Sequence, residues 1–251
     1  MTKLKNMILP AVAVLFSAAA WFLRRELYAA ALDSKGLLLS GHPLETALWA
    51  VVLGGGLAMV LAASQLKGSD LYEDNFTPSI PAFCGNALMC ATVLAMVLYQ
   101  VLPMSEKVNL VWKALGFLTA PGLLWVAICR AMGRKPFFGI HGGLCVFLLL
   151  HLISRYQGWS GNPQMQDYVF ELLALLALTL FSYHCAAFET GTGNRRMQLA
   201  TGLLAILFCG ASLGRTDNAV FYVSGMLWAA NDLCRLTPPP KNEEAETHDP
   251  S

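Results

Sequence analysis

The sequence predicts an all-α fold, a polytopic transmembrane helical bundle of eight spans. Three observations predict it: apolar residues make up 56% of the chain, charged residues make up only 13%, and eight stretches approach the length of a bilayer crossing. A soluble chain of this size carries about 25% charge because its surface faces water, so the deficit fits a surface that faces lipid. At 251 residues there is room for one bundle and hardly for a soluble domain besides. A net charge of +1 gives no electrostatic footprint for nucleic acid.

Each span needs roughly 20 largely apolar residues, because a rise of about 1.5 Å per residue must cover about 30 Å of hydrocarbon. The first expected span is Met7–Leu23, the second Leu44–Gln65, the third Pro81–Leu102 and the fourth Val108–Cys129. The fifth, Pro136–Ile153, lies between Lys135 and Arg155, and the sixth is Tyr168–Phe188. Arg196 and Arg215 bound the seventh, Met197–Gly214. The eighth, Ala219–Leu236, is the least apolar, since it holds Asn231, Asp232 and Arg235, and an interfacial helix is its alternative. Three prolines from Pro238 supply no backbone donors and end it. Residues 1–237 therefore read as the bundle, and 238–251, with Glu243, Glu244, Glu246 and Asp249, as a solvated acidic cytoplasmic tail.

Lys3 and Lys5 before an apolar run ending Ala18-Ala19-Ala20 resemble a signal peptide, but the run is long and further spans follow, so an uncleaved first helix is expected. The run Leu27–Leu32 either extends that helix or lies along the surface. With the N-terminus inside, ten of the 17 Lys and Arg fall on the cytoplasmic side and seven outside, with Arg24 and Arg25 opposing the trend. The expectation is a multi-pass protein of the inner (cytoplasmic) membrane with both termini cytoplasmic. Trp21, Trp49, Trp112 and Trp159 then fall at an outer aromatic belt.

The seven cysteines all lie in or beside apolar segments, without Cys-x-x-Cys spacing, and read as small buried hydrophobes. No cofactor and no metal is implied. His141 and His151, ten residues apart, sit about 15 Å apart along a helix and cannot share one ion. Gly210 and Gly214, and Gly54 to Gly56 with Ala58, offer smooth surfaces for close helix packing, within the bundle or between chains. Asp232 and Arg235 stand three apart, a pairing distance on a helix.

The richest polar region is the connection Ser154–Asp167, flanked by His151 and Glu171. The candidate binding residues are His151, Arg155, Tyr156, Trp159, Asp167 and Glu171; no residue is singled out as catalytic. Asp167 and Glu171 share a helix face and need a basic neighbour, for which Arg155 or His151 is available at the end of span five. The competing reading makes Asp167 a helix cap, Glu171 a group in outer water and Trp159 a headgroup anchor. Arg195 and Arg196 read as headgroup anchors for the turn that begins at Gly191.

The Gly41-His42-Pro43-Leu44 step, the Tyr156–Asp167 connection and the Gly193-Asn194-Arg195-Arg196 turn resemble those of small uncharacterised polytopic membrane proteins of anaerobic Clostridia. The resemblance covers most of the chain and implies a membrane bundle, with no activity and no catalytic residue attached. From the residues themselves, a membrane accessory or interaction role ranks first. Transport of a small neutral or weakly polar solute follows, and a membrane-embedded enzyme with an outer-facing polar site comes third. The lipid bilayer is the expected partner, with a membrane-protein partner or second copy beside it.

Overall fold

The computed structural model describes residues 2–32, 38, 41–65, 72, 76–102, 104–137, 139–160, 168–214, 216 and 218–236, with side chains from residue 8 onward. Among the described residues eight helices follow one another: α1 (Thr2–Ala30), α2 (Pro43–Ser64), α3 (Ile80–Tyr99), α4 (Glu106–Met132), α5 (Gly139–Trp159), α6 (Val169–Thr190), α7 (Arg195–Ser212) and α8 (Ala219–Leu233). Among the described residues there is no strand, only the isolated bridges Leu32–Leu38 and Phe76–Leu236. The chain is an all-α bundle, and its described residues form eight helices.

Local sequence sets the helix ends. Gly41 takes a left-handed φ of 83°, His42 accepts from the Leu44 amide at 3.3 Å, and Pro43 opens α2, where its missing N–H costs nothing. Asn194 caps α7 by accepting from the amides of Arg196 and Met197. Two of the motifs that carry the resemblance are therefore capping steps. Gly133 and Gly191, both left-handed, close α4 and α6. The Leu27–Leu32 run extends α1, which continues to Ala30.

Each helix from α3 to α8 packs on the next, and α8 returns to α3, which closes a ring of six; α1 and α2 lie against α7 from outside. Six helices, α1 to α6, are long and apolar enough to cross a membrane. The chain thus has the make-up of a multi-pass membrane protein. α7 and α8 differ for a physical reason. Hydropathy tracks contact with lipid, and α7 is enclosed by α1, α2, α6 and α8, so that Gln198, Thr201 and Ser212 are all buried. α8 has 15 residues, a rise of about 22 Å, and is walled in by α3 and α7 rather than lying along the surface.

Small residues permit the closest approaches. Gly210 of α7 faces Ser17 of α1, and Gly214 lies on the stem of Arg24. The Gly-x-x-x-Gly pair therefore works inside the bundle. Gly55 meets Phe16 and Gly56 meets Leu204, whereas Gly54 has open space around it.

Candidate functional site

Two polar clusters occupy opposite ends of the ring, and both tie together α5, α6 and α8. Glu171 and Glu189, the α6 members, are 18 residues apart, about 27 Å of helix rise.

The cluster at the end shared with the α1 N-terminus is wholly buried. Asp232 of α8 accepts from Arg235 Nε at 2.7 Å and Nη2 at 3.2 Å, and faces Arg130 Nε of α4 at 3.4 Å. Arg130 also reaches Glu189 of α6 at 3.5 Å, and Glu189 meets His141 Nδ1 of α5 at 2.7 Å. Both arginines donate to the Tyr72 hydroxyl, Arg235 Nη1 at 3.2 Å. Phe76 lies 3.8 Å beneath the Arg235 guanidinium. The residues just before α3 join this end: the Thr77 amide donates to the Arg235 carbonyl and the Ser79 amide to that of Arg130. Two guanidinium groups thus balance two carboxylates. Burying unpaired ions is prohibitive, and this balance makes their burial tolerable.

At the opposite end Glu171 Oε2 accepts from Arg155 Nη2 at 3.3 Å and from the Tyr222 hydroxyl at 3.0 Å. The Arg155 guanidinium lies 4.4 Å above the Trp159 ring, which stacks on Tyr168 at 4.3 Å. His151 is buried, stacked on Trp112 at 5.9 Å and met edge-on by Phe221 at 5.8 Å.

Between the clusters the ring is filled with aromatic side chains. Trp112 stacks on Phe147 at 4.8 Å, and Trp228 packs edge-on against Phe181 at 4.9 Å. Trp228 also lies parallel to His141 at 6.1 Å and donates to Asn86 at 3.1 Å. Thr92 and Ser224 join α3 to α8 at 2.7 Å. The larger surface hollows lie on the rim; one, of about 690 Å³, is an apolar cleft between α5 and α6 lined by Tyr156, Leu152 and Leu176.

The structure brings four of the six sequence-predicted binding residues together. Arg155, Glu171 and Trp159 join directly, and His151 lies one turn below Arg155. Tyr156 turns away into the apolar cleft, half exposed. Asp167 lies outside the described residues. Glu171 is buried, so the alternative that puts it in outer water is corrected. Trp112 is likewise a core residue rather than part of an interfacial belt, because its ring fills the space beside His151. Arg195, expected at the headgroups, is buried at the start of α7, while Arg196 stays exposed. Arg24, counted among outer charges, is buried and donates from Nη1 to the carbonyls of Ala211 and Ser212 at 2.8 and 3.1 Å. Cys90, Cys129, Cys185 and Cys209 are buried, Cys145 and Cys234 half-buried, and Cys84 exposed; all are free thiols.

Sequence reasoning found the Asp232–Arg235 pair but missed Arg130, Glu189 and His141 as its companions. Their partners lie from 48 residues away, for His141 and Glu189, to 102, for Arg130 and Asp232, beyond any local spacing rule. Among the described residues, no three His, Cys, Asp or Glu side chains gather as a metal site. No family model matches the chain, and neither a curated protein nor a solved structure does.

Proposed function

We propose that this chain is a non-conducting accessory protein of the cytoplasmic membrane, which acts by associating with another membrane component. One observation carries the reading: the middle of the ring is packed with aromatic side chains between two ionic clusters that clamp the same three helices. A solute path needs polar groups leading to the midplane, and here that depth is occupied by Phe147, Phe181 and Trp228, each less than 2% exposed. What the bundle offers outward is its apolar flank, including Leu53, Leu57 and Leu61 of α2. Such a flank suits lipid or another membrane helix. Both termini are assigned to the cytoplasm, which puts the Arg130–Asp232 cluster at the inner end and Arg155–Glu171 at the outer.

Cysteine accessibility tests this reading. In variants that keep only Cys90, or carry only Ala229→Cys, a membrane-impermeant maleimide should modify neither position from either side of sealed vesicles. Modification from both sides would replace the accessory reading with transport. Reporter fusions after Gln65, Lys135 and Gly193 should report inside and one at Gly161 outside; the reverse pattern throughout overturns the orientation.

A second reading, carriage of a small uncharged solute, draws on one specific feature. Clamps at opposite ends of α5, α6 and α8 have the placement of paired gates, in which opening one while the other stays shut exposes the interior to a single side.

A further inference from the structure

The outer half of the ring holds more unmade hydrogen bonds than a sealed core should. Trp112 Nε1, both ring nitrogens of His151, Ser154 Oγ and Arg155 Nε are all buried, and among the described residues none has a hydrogen-bond partner. Trp112, His151 and Ser154 are at most 1% exposed. Buried polar atoms are paired in the great majority of folded proteins, and a local group of orphans calls for an explanation. These five form one group. His151, Ser154 and Arg155 stand at i, i+3 and i+4 on a single face of α5, and Trp112 of α4 stacks on the His151 ring.

Their chemistry specifies a complement. The indole Nε1 and the guanidinium Nε only donate, the imidazole offers one N–H and one bare nitrogen, and the Ser154 hydroxyl does both. Arg155 is already neutralised by Glu171, so the group carries no unbalanced charge to attract an ion. The rings of Trp112 and Phe221 pack against His151 beside it. A planar molecule with a carbonyl oxygen to receive the two fixed donors, and an N–H to give to imidazole or hydroxyl, pairs three of the five orphans. The mouth is Arg155, whose side chain is 21% exposed while its partner Glu171 is 2% exposed.

We propose that Trp112, His151, Ser154 and Arg155 form a binding site for a small uncharged amide-bearing solute, reached from the Arg155 end when the Arg155–Glu171 bridge swings aside. The site occupies the outer part of the ring and stands whether the chain is an accessory protein or a carrier.

The test uses the full-length chain labelled with 5-fluorotryptophan, whose six tryptophans give separate fluorine resonances. Trp112→Phe assigns the Trp112 signal. Acetamide is the probe, and sodium acetate, its charged isostere, is the control. The expected result is a saturable shift of the Trp112 resonance with acetamide, little response to acetate and none at Trp228. Ser154→Ala, in which the other resonances should keep their positions, should weaken acetamide binding about five- to ten-fold, the loss of one hydrogen bond. A Trp112 signal in the unsubstituted protein that moves no more than that of Trp228 overturns the site. An equal response to acetate overturns its preference for an uncharged ligand.

Discussion

Replacing Asp232 with Leu tests whether the inner network is a closed charge balance. Asp232 takes two hydrogen bonds from Arg235 and faces Arg130 at 3.4 Å, with all three side chains at most 2% exposed. Without it, two buried guanidinium groups share a single carboxylate, Glu189. Breaking a buried pair by removing one partner costs about 3–5 kcal/mol, against about 0–1 kcal/mol for a solvated pair. For a chain of this size each kcal/mol moves the midpoint by about 2–4 °C, so Asp232→Leu should lower Tm by about 6–20 °C. The double variant Asp232→Leu/Arg235→Met restores the balance, leaving Arg130 with Glu189, and should recover more than half of that loss. Heating in detergent with a thiol-reactive fluorophore reads the transition directly, because Cys90, Cys129, Cys185 and Cys209 are buried free thiols. A drop of under about 2 °C for Asp232→Leu would show a solvated pair. Additive losses in the double variant would show two independent residues and defeat the network.

The same assay serves the remaining predictions. Arg24→Leu removes the donor to the Ala211 and Ser212 carbonyls and should cost about 3–6 kcal/mol, since hydrogen bonds to charged groups contribute about 1.5–3 kcal/mol each; a change within about 0.5 kcal/mol contradicts these contacts. Gly210→Val drives a branched side chain into Ser17 and should lower Tm sharply, whereas Gly54→Ala meets nothing and should gain about 0.5–1 kcal/mol from helix propensity. Equal effects at the two glycines contradict the α1–α7 packing. Trp228→Phe leaves the Asn86 carbonyl oxygen without its donor and should cost about 1–3 kcal/mol, with part of the loss returned by Asn86→Leu in the same chain.

The fold was largely legible because its code is local. Apolar runs locate all eight helices to within a few residues at most ends, and Gly41-His42-Pro43 and Asn194 mark two of their starts. The pairing of Asp232 with Arg235 was legible for the same reason, being a contact within one turn. The placement of Arg130, Glu189 and His141 was not, since whether a charge at a span end faces headgroups or the bundle depends on which helix lies beside it. Arg195 and Arg196 show the point: neighbours in sequence, they lie on different faces of α7, one buried and one exposed. Trp112 misleads in the same way, because a tryptophan near a span end looks alike whether it faces lipid or His151. The outer group was found by composition, and its Arg155–Glu171 contact follows from the short connection between α5 and α6. Its orphaned donors were not legible, as an unmade bond has no sequence signal.

Arg24 sets a condition on the order of assembly. Its acceptors, the carbonyls of Ala211 and Ser212, lie 187 and 188 residues later in the chain. At synthesis rates of about 5–20 residues per second, the first helix waits about 10–40 s before the end of α7 exists. Throughout that interval an arginine near the end of α1 must be held by lipid phosphates, water or an insertion factor. α1 is therefore made well before α7 and is among the last helices to be fixed in place. A truncated chain that stops before α7 should leave it loosely held and open to degradation.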